Sequence, residues 1–153
     1  MTRASTLFLK LVIYGLGLIA LGVCIIILGV TLSGNAGMYW PLLIGVFLTA
    51  IPFVYALYQG INLLNSIEKN TAFSEASEWS IKSIEYSAFT ISALYAAMMP
   101  FVIHVAHIDD APGAVLVGLL CIFAPLVTGV FAAVLHRLLR SALDLKSEND
   151  LTV

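Results

Sequence analysis

The sequence predicts an all-α integral membrane protein, a four-transmembrane-helix bundle forming a single domain over residues 1–153 with both termini in the cytoplasm. Three observations carry that expectation. First, 61% of the 153 residues are hydrophobic and only 10% are charged, against roughly 45–50% apolar and about 25% charged in a soluble domain. That leaves too little polar surface to cover a globule in water. Second, four long apolar runs follow one another along the chain, at 7–32, 40–64, 84–108 and 113–139. Third, the seven Lys and Arg residues all fall at one side of those runs.

Each run holds about 25 residues, or roughly 37 Å of helix, enough to cross a hydrocarbon core of about 30 Å with some tilt. A spanning strand would be about 10 residues of alternating polarity, whereas Cys24, Ile25, Ile26, Ile27 and Leu28 are apolar without interruption. Lipid offers no partner for unpaired backbone groups, so the runs are helices. The first is broken only by Lys10. A cleaved signal peptide over 1–36 is the competing reading, since Gly34, Asn35 and Ala36 loosely resemble a cleavage site. The apolar stretch far exceeds the 7 to 15 residues of such a segment, and the first helix is expected to stay.

The connections fix a direction. Arg3 and Lys10 open the first run, Lys69 and Lys82 lie in the loop 65–83 or at its edge, and Arg137, Arg140 and Lys146 close the fourth. The connections at 33–39 and 108–112 hold no Lys or Arg. The positive-inside rule then places both termini, the loop 65–83 and the tail 140–153 in the cytoplasm. A formal charge of -2 removes the basic footprint of a direct nucleic-acid binder.

Small residues suggest how the helices pack. Gly15, Gly22 and Gly29 recur at heptad spacing in the first run. Ala88, Ser92 and Ala96 lie one turn apart in the third, and the fourth carries Ala114, Gly118, Pro125, Gly129 and Ala133. Such stripes let backbones approach closely and are expected as internal seams rather than as a homodimer face. Pro52, Pro100 and Pro125 remove amide donors and are candidate bends. Tyr39 and Trp40 at one boundary, and Trp79 and Tyr86 at the other, suit the aromatic belt. Cys24 and Cys121 lie at similar depth and are expected to be buried thiols rather than a disulfide.

Three segments carry candidate chemistry. The outer turn places His104 and His107 at i and i+3, followed by Asp109, Asp110, Pro112 and Gly113. Nitrogen and oxygen ligands at that spacing could hold a divalent metal; the preferred alternative is a helix stop and a cap for the fourth helix. The second run carries a polar ridge of Tyr55, Tyr58, Gln59, Asn62 and Ser66. Interhelical hydrogen bonding is expected of it before a transport path, because no Asp, Glu, Lys or Arg sits near mid-membrane in any run. In the loop 65–83, Ser74 is an N-cap and a helix begins near Glu75, with Glu78 and Lys82 a favourable i,i+4 pair. Phe73, Glu75, Glu78, Trp79 and Lys82 are the candidate partner-binding residues. No Gly-rich phosphate loop, Gly-x-Ser-x-Gly, His-Glu-x-x-His or paired CxxC is present, and His136 stands isolated, so no enzyme and no cofactor is expected.

Several short motifs look familiar together: Asn70-Thr71-Ala72-Phe73-Ser74, Asp109-Asp110-Ala111-Pro112-Gly113, and the ending Ser147-Glu148-Asn149-Asp150-Leu151-Thr152-Val153. In a four-span chain they resemble the YoaS-like family of small bacterial membrane proteins of unknown function, over nearly the whole sequence. The resemblance implies a protein of the bacterial cytoplasmic membrane with no assigned activity. It also implies a neighbouring helix-turn-helix regulator, hence membrane control of a transcription factor. His104 and His107 are not part of that pattern. The expectation is therefore a non-enzymatic multi-pass protein whose partners are the lipid bilayer, a cytosolic regulator and a second copy of itself. The alternative is a small transporter or export subunit using Tyr55, Gln59 and Asn62.

Overall fold

The computed structural model describes residues 3–152. Four helices follow in order: α1 (Arg3–Leu32), α2 (Trp40–Glu68), α3 (Glu75–Ile108) and α4 (Gly113–Leu151), with one 3-10 turn, Gly37–Tyr39, before α2. Each is long and apolar enough to cross a membrane. The described residues contain no strand. The helices overrun the apolar stretches. Most of the expected tail 140–153 is helical, because α4 continues through Arg140 and Leu145 to Leu151. Val153, its last residue, lies outside the described residues.

Local chemistry explains the helix ends. Ser74 adopts an extended conformation and its side chain accepts from the Ser77 amide, so α3 starts at Glu75 with Glu75 and Glu78 in its first turn, near the positive end of the dipole. At the end of α2 the Thr71 amide reaches back to Ser66 O at 2.8 Å, while Asn70 takes a left-handed φ of 56°. At the end of α3, Ala111 N bonds Ala106 O at 2.9 Å and Asp110 takes φ 50°. Both are Schellman closures built on the two non-glycine residue types that best tolerate this conformation. One expectation is corrected here. Neither Asp109 nor Asp110 caps α4, whose N-cap is Pro112 with no side-chain bond. Asp110 is turned to closing α3, and the Asp109 carboxylate accepts the Tyr39 hydroxyl at 2.6 Å.

The helices run through Pro52, Pro100 and Pro125. Pro125 leaves a carbonyl without its amide one turn back, and beside that point Ser92 Oγ donates to Ile122 O at 2.9 Å.

Packing follows chain order: α1 on α2, α2 on α3 and α3 on α4, while α1 comes within 8 Å of neither α3 nor α4, Cα to Cα. The bundle is thus open along its α1 and α4 edges. The buried face of α3 is made largely of small residues, with Ser77, Ser80, Ser83, Ser87, Ala88 and Ser92 among them. Larger α3 side chains enter glycine gaps on both neighbours: Met98 against Gly45, Met99 against Gly118 and Phe89 against Gly129. At the other end of the seam Ile81, Ala132 and Leu139 form a small apolar core.

The expected α1 seam is not there. A Cβ on Gly15, Gly22 or Gly29 would meet nothing within 4 Å, and α1 touches α2 instead where Leu57 lies over Gly17 and Ile13 over Gly60. Spacing alone sets a stripe on one face but not the direction of that face. Ala96 and Ala114 are likewise exposed.

These contrasts predict opposite outcomes for two glycine substitutions. Gly129→Leu, pressed on the Phe89 ring, should destabilise the protein by about 1–3 kcal/mol through overpacking. Gly22→Leu should leave stability within about 0.5 kcal/mol. Unfolding in detergent micelles, followed by circular dichroism, checks both.

Candidate functional site

Antiparallel packing brings the start of α1, the end of α4 and the α2–α3 connection to one end of the molecule. There α3 and α4 assemble a charged cluster. Glu78 and Glu85 are seven residues apart, two turns and about 10.5 Å along one face of α3. The His136 ring of α4 lies between them, with Nε2 3.2 Å from Glu78 Oε1 and Nδ1 3.3 Å from Glu85 Oε2. Arg140, one turn further, donates from Nη1 to the same Glu78 oxygen at 3.3 Å. The His136, Glu78 and Glu85 side chains are only 17%, 20% and 19% exposed, whereas Arg140 is at the surface.

The geometry has a chemical meaning. A neutral imidazole has one N–H and one bare nitrogen, so it can satisfy one flanking carboxylate only. Glu85 Oε2 is buried without an aligned hydrogen bond; were it ionised against a bare Nδ1, two lone pairs would face each other. While neutral, the ring therefore lies between the two carboxylates but donates to only one of them. His136 is not isolated, contrary to the expectation. Two acids at i and i+7 on α3 were the signal, and only the α3–α4 pairing reveals their partner. The expected Glu78 and Lys82 pair yields to this arrangement, since Glu78 is turned toward α4. Nearby, Lys10 of α1 pairs with Glu68 of α2 at 2.7 Å.

Within the helices, the ridge on α2 joins the α2–α3 seam. Gln59 is buried; Ser80 Oγ donates to its Oε1 at 3.1 Å, and its Nε2 donates to the Tyr55 hydroxyl at 3.1 Å. Tyr55 in turn donates to Ser83 Oγ at 3.5 Å. Asn62 stands outside this chain, and its backbone carbonyl accepts from Ser66 Oγ. The other sequence candidates divide. Phe73, Glu75 and Trp79 are exposed and Lys82 is half-buried, so only part of that segment forms a free surface. His104, His107, Asp109, Asp110, Pro112 and Gly113 are all exposed in the opposite turn. Among the described residues no three His, Cys, Asp or Glu side chains converge to hold a metal ion.

Midway along the helices lies a cavity of about 670 Å³ bordered by all four, including Cys24, Thr49, Tyr95, Cys121 and Thr128. Both cysteines are free thiols. Thr49 Oγ1 donates to Val46 O at 2.8 Å and lies 3.3 Å from the Tyr95 hydroxyl.

The carboxylate–imidazole bracket should behave as a coupled unit. A double-mutant cycle on His136→Gln and Glu85→Gln is expected to give an interaction of about 0.5–3 kcal/mol, read from unfolding in detergent. Additive effects would show that the two side chains are merely adjacent.

Comparison with known proteins places these features. The family model described as "Protein of unknown function (DUF2975)" matches residues 28–153. The chain is 46% identical, over 160 aligned positions covering the whole of both sequences, to the "Uncharacterized membrane protein YoaS" of Bacillus subtilis (strain 168). No solved structure matches. A helical chain with four membrane-length helices, matched this far along its length, belongs to the DUF2975 family of proteins of unknown function.

Proposed function

We propose that this protein is a non-enzymatic, multi-pass component of the bacterial cell membrane, with both termini and the α2–α3 connection in the cytoplasm, that docks a cytosolic protein on the end carrying its Lys and Arg residues. The observation that carries this reading is the length of α4. Its 39 residues make about 58 Å of helix against a hydrocarbon core of about 30 Å, so roughly half of it projects from the lipid. The projecting part presents Leu145 and Leu151, both exposed, among Arg140, Asp144, Lys146, Glu148 and Asp150. Phe73 and Trp79, 63% and 61% exposed, lie at the same end.

Apolar side chains set among charges of both signs suit a helix-bearing protein partner better than a small solute. A small helix-turn-helix regulator, implied by the family resemblance, fits that description. The transport alternative through Tyr55, Gln59 and Asn62 has less support, because the polar groups of Tyr55 and Gln59 are already engaged across the α2–α3 seam.

Two measurements test the proposal. Deleting residues 146–153 together with Phe73→Ala and Trp79→Ala should abolish capture of the encoded neighbouring regulator from solubilised membranes; undiminished capture counts against it. For orientation, a membrane-impermeant maleimide should label Asn35→Cys in intact cells and Thr152→Cys only after permeabilisation. The reverse pattern would refute the placement of that end.

A further inference from the structure

We propose that the cavity ringed by the four helices is a binding site for one hydrocarbon chain of a membrane lipid, admitted sideways through the gap between α1 and α4. This inference is independent of the cytosolic partner and rests only on the four helices lying in lipid.

The position of the cavity is the first argument. Its α2 wall extends from Val46 to Leu57, about 16 Å of helix, and its α1 wall is Ala20, Val23 and Cys24 near the middle of that helix. It therefore sits at hydrocarbon depth. The opening is the second. Cys24 of α1 and Cys121 of α4 both border the space, yet the two helices nowhere approach within 8 Å, Cα to Cα. A slot between two lipid-facing helices opens into acyl chains and not into water.

The lining decides among occupants. Water needs two to four polar partners to reside in a cavity, and the hydroxyls here are few and already engaged: Thr49 donates to Val46 O and Thr128 to Ala124 O. A helix from a second copy is the competing occupant, and it would show itself as a crosslink between copies. A flexible hydrocarbon chain needs only a narrow track, and the volume falls within the roughly 300–1,000 Å³ of ligand pockets. Alanines at 50, 56, 88 and 124 keep that track open. Left unfilled, the walls would forfeit their dispersion contacts on one side.

The experiment uses the full chain in nanodiscs of phosphatidylglycerol, a fraction of which carries a diazirine midway along one acyl chain. After illumination, mass spectrometry should find adducts on Cys24, Ala50, Tyr95 and Cys121 in several-fold excess over outward-facing Ile26 and Phe123 at comparable depth. Ala50→Leu with Ala124→Leu should remove that excess while leaving the outward adducts unchanged. Should that variant fail to fold, the wild type alone still decides: labelling of Cys24 and Cys121 by an apolar bromobimane should slow on transfer from a short-chain detergent into nanodiscs. Equal adducts inside and outside, or unchanged thiol labelling, would overturn the proposal. So would cavity adducts formed only by a free diazirine-bearing palmitic acid, or photocrosslinks joining two copies through the gap.

Discussion

Hydrocarbon cannot accept or donate a hydrogen bond, and the rest of this structure depends on that refusal. Each polar atom at depth has to find its partner within the chain. The result is a division of labour along the helix axes. In the middle, small hydroxyls find carbonyls, Ser92 of α3 across the seam on Ile122 of α4 and Thr49 on Val46 of its own helix. Toward the end that carries the Lys and Arg residues, whole ionisable groups are tolerated: Lys10 meets Glu68, Arg140 meets Glu78, and His136 lies between Glu78 and Glu85. Partly exposed pairs of this kind contribute little each. Their main consequence is register, because a helix slid by one turn would take His136 out from between the two carboxylates.

The same constraint makes α3 the organising helix. Lipid gives no hydrophobic drive for one helix to leave it for another, so association relies on close packing and on interhelical hydrogen bonds. A face of serines and alanines brings the α3 backbone near both neighbours, and Met98, Met99 and Phe89 fill the glycine gaps that this proximity creates. By contrast α1 contributes only Thr6 to the buried set. Its hold on α2 includes the contacts at Gly17 and Gly60 and the Lys10 pair with Glu68. The most sparsely packed seam among the described helices thus also borders the cavity.

Much of this was legible in the amino-acid sequence, and the boundary of what was not has a physical origin. Bilayer thickness sets a minimum apolar length, so four helices could be counted directly. Ser74 as a cap followed from side-chain chemistry confined to one turn. Face and partner are different questions. Gly15, Gly22 and Gly29 share a stripe, yet nothing local states which way α1 is rotated, and that stripe faces open space. Gln59 was singled out as polar, but its bond to Ser80 required knowing that α2 pairs with α3 at that height. His136 was passed over for the same reason, since Glu78 and Glu85 lie far from it in sequence and meet it only through helix pairing.

Packing in strict chain order bears on how the molecule is made. Each interhelical contact joins a helix to its immediate predecessor or successor, which keeps the sequence separation of contacting residues small and the topological barrier to assembly low. A nascent chain emerging from its N-terminus can therefore complete one hairpin before the next is synthesised, with no early helix waiting exposed for a late one. The gap between first and last helices is the geometric trace of that economy: closing it would have demanded a pairing that only the finished polypeptide could make.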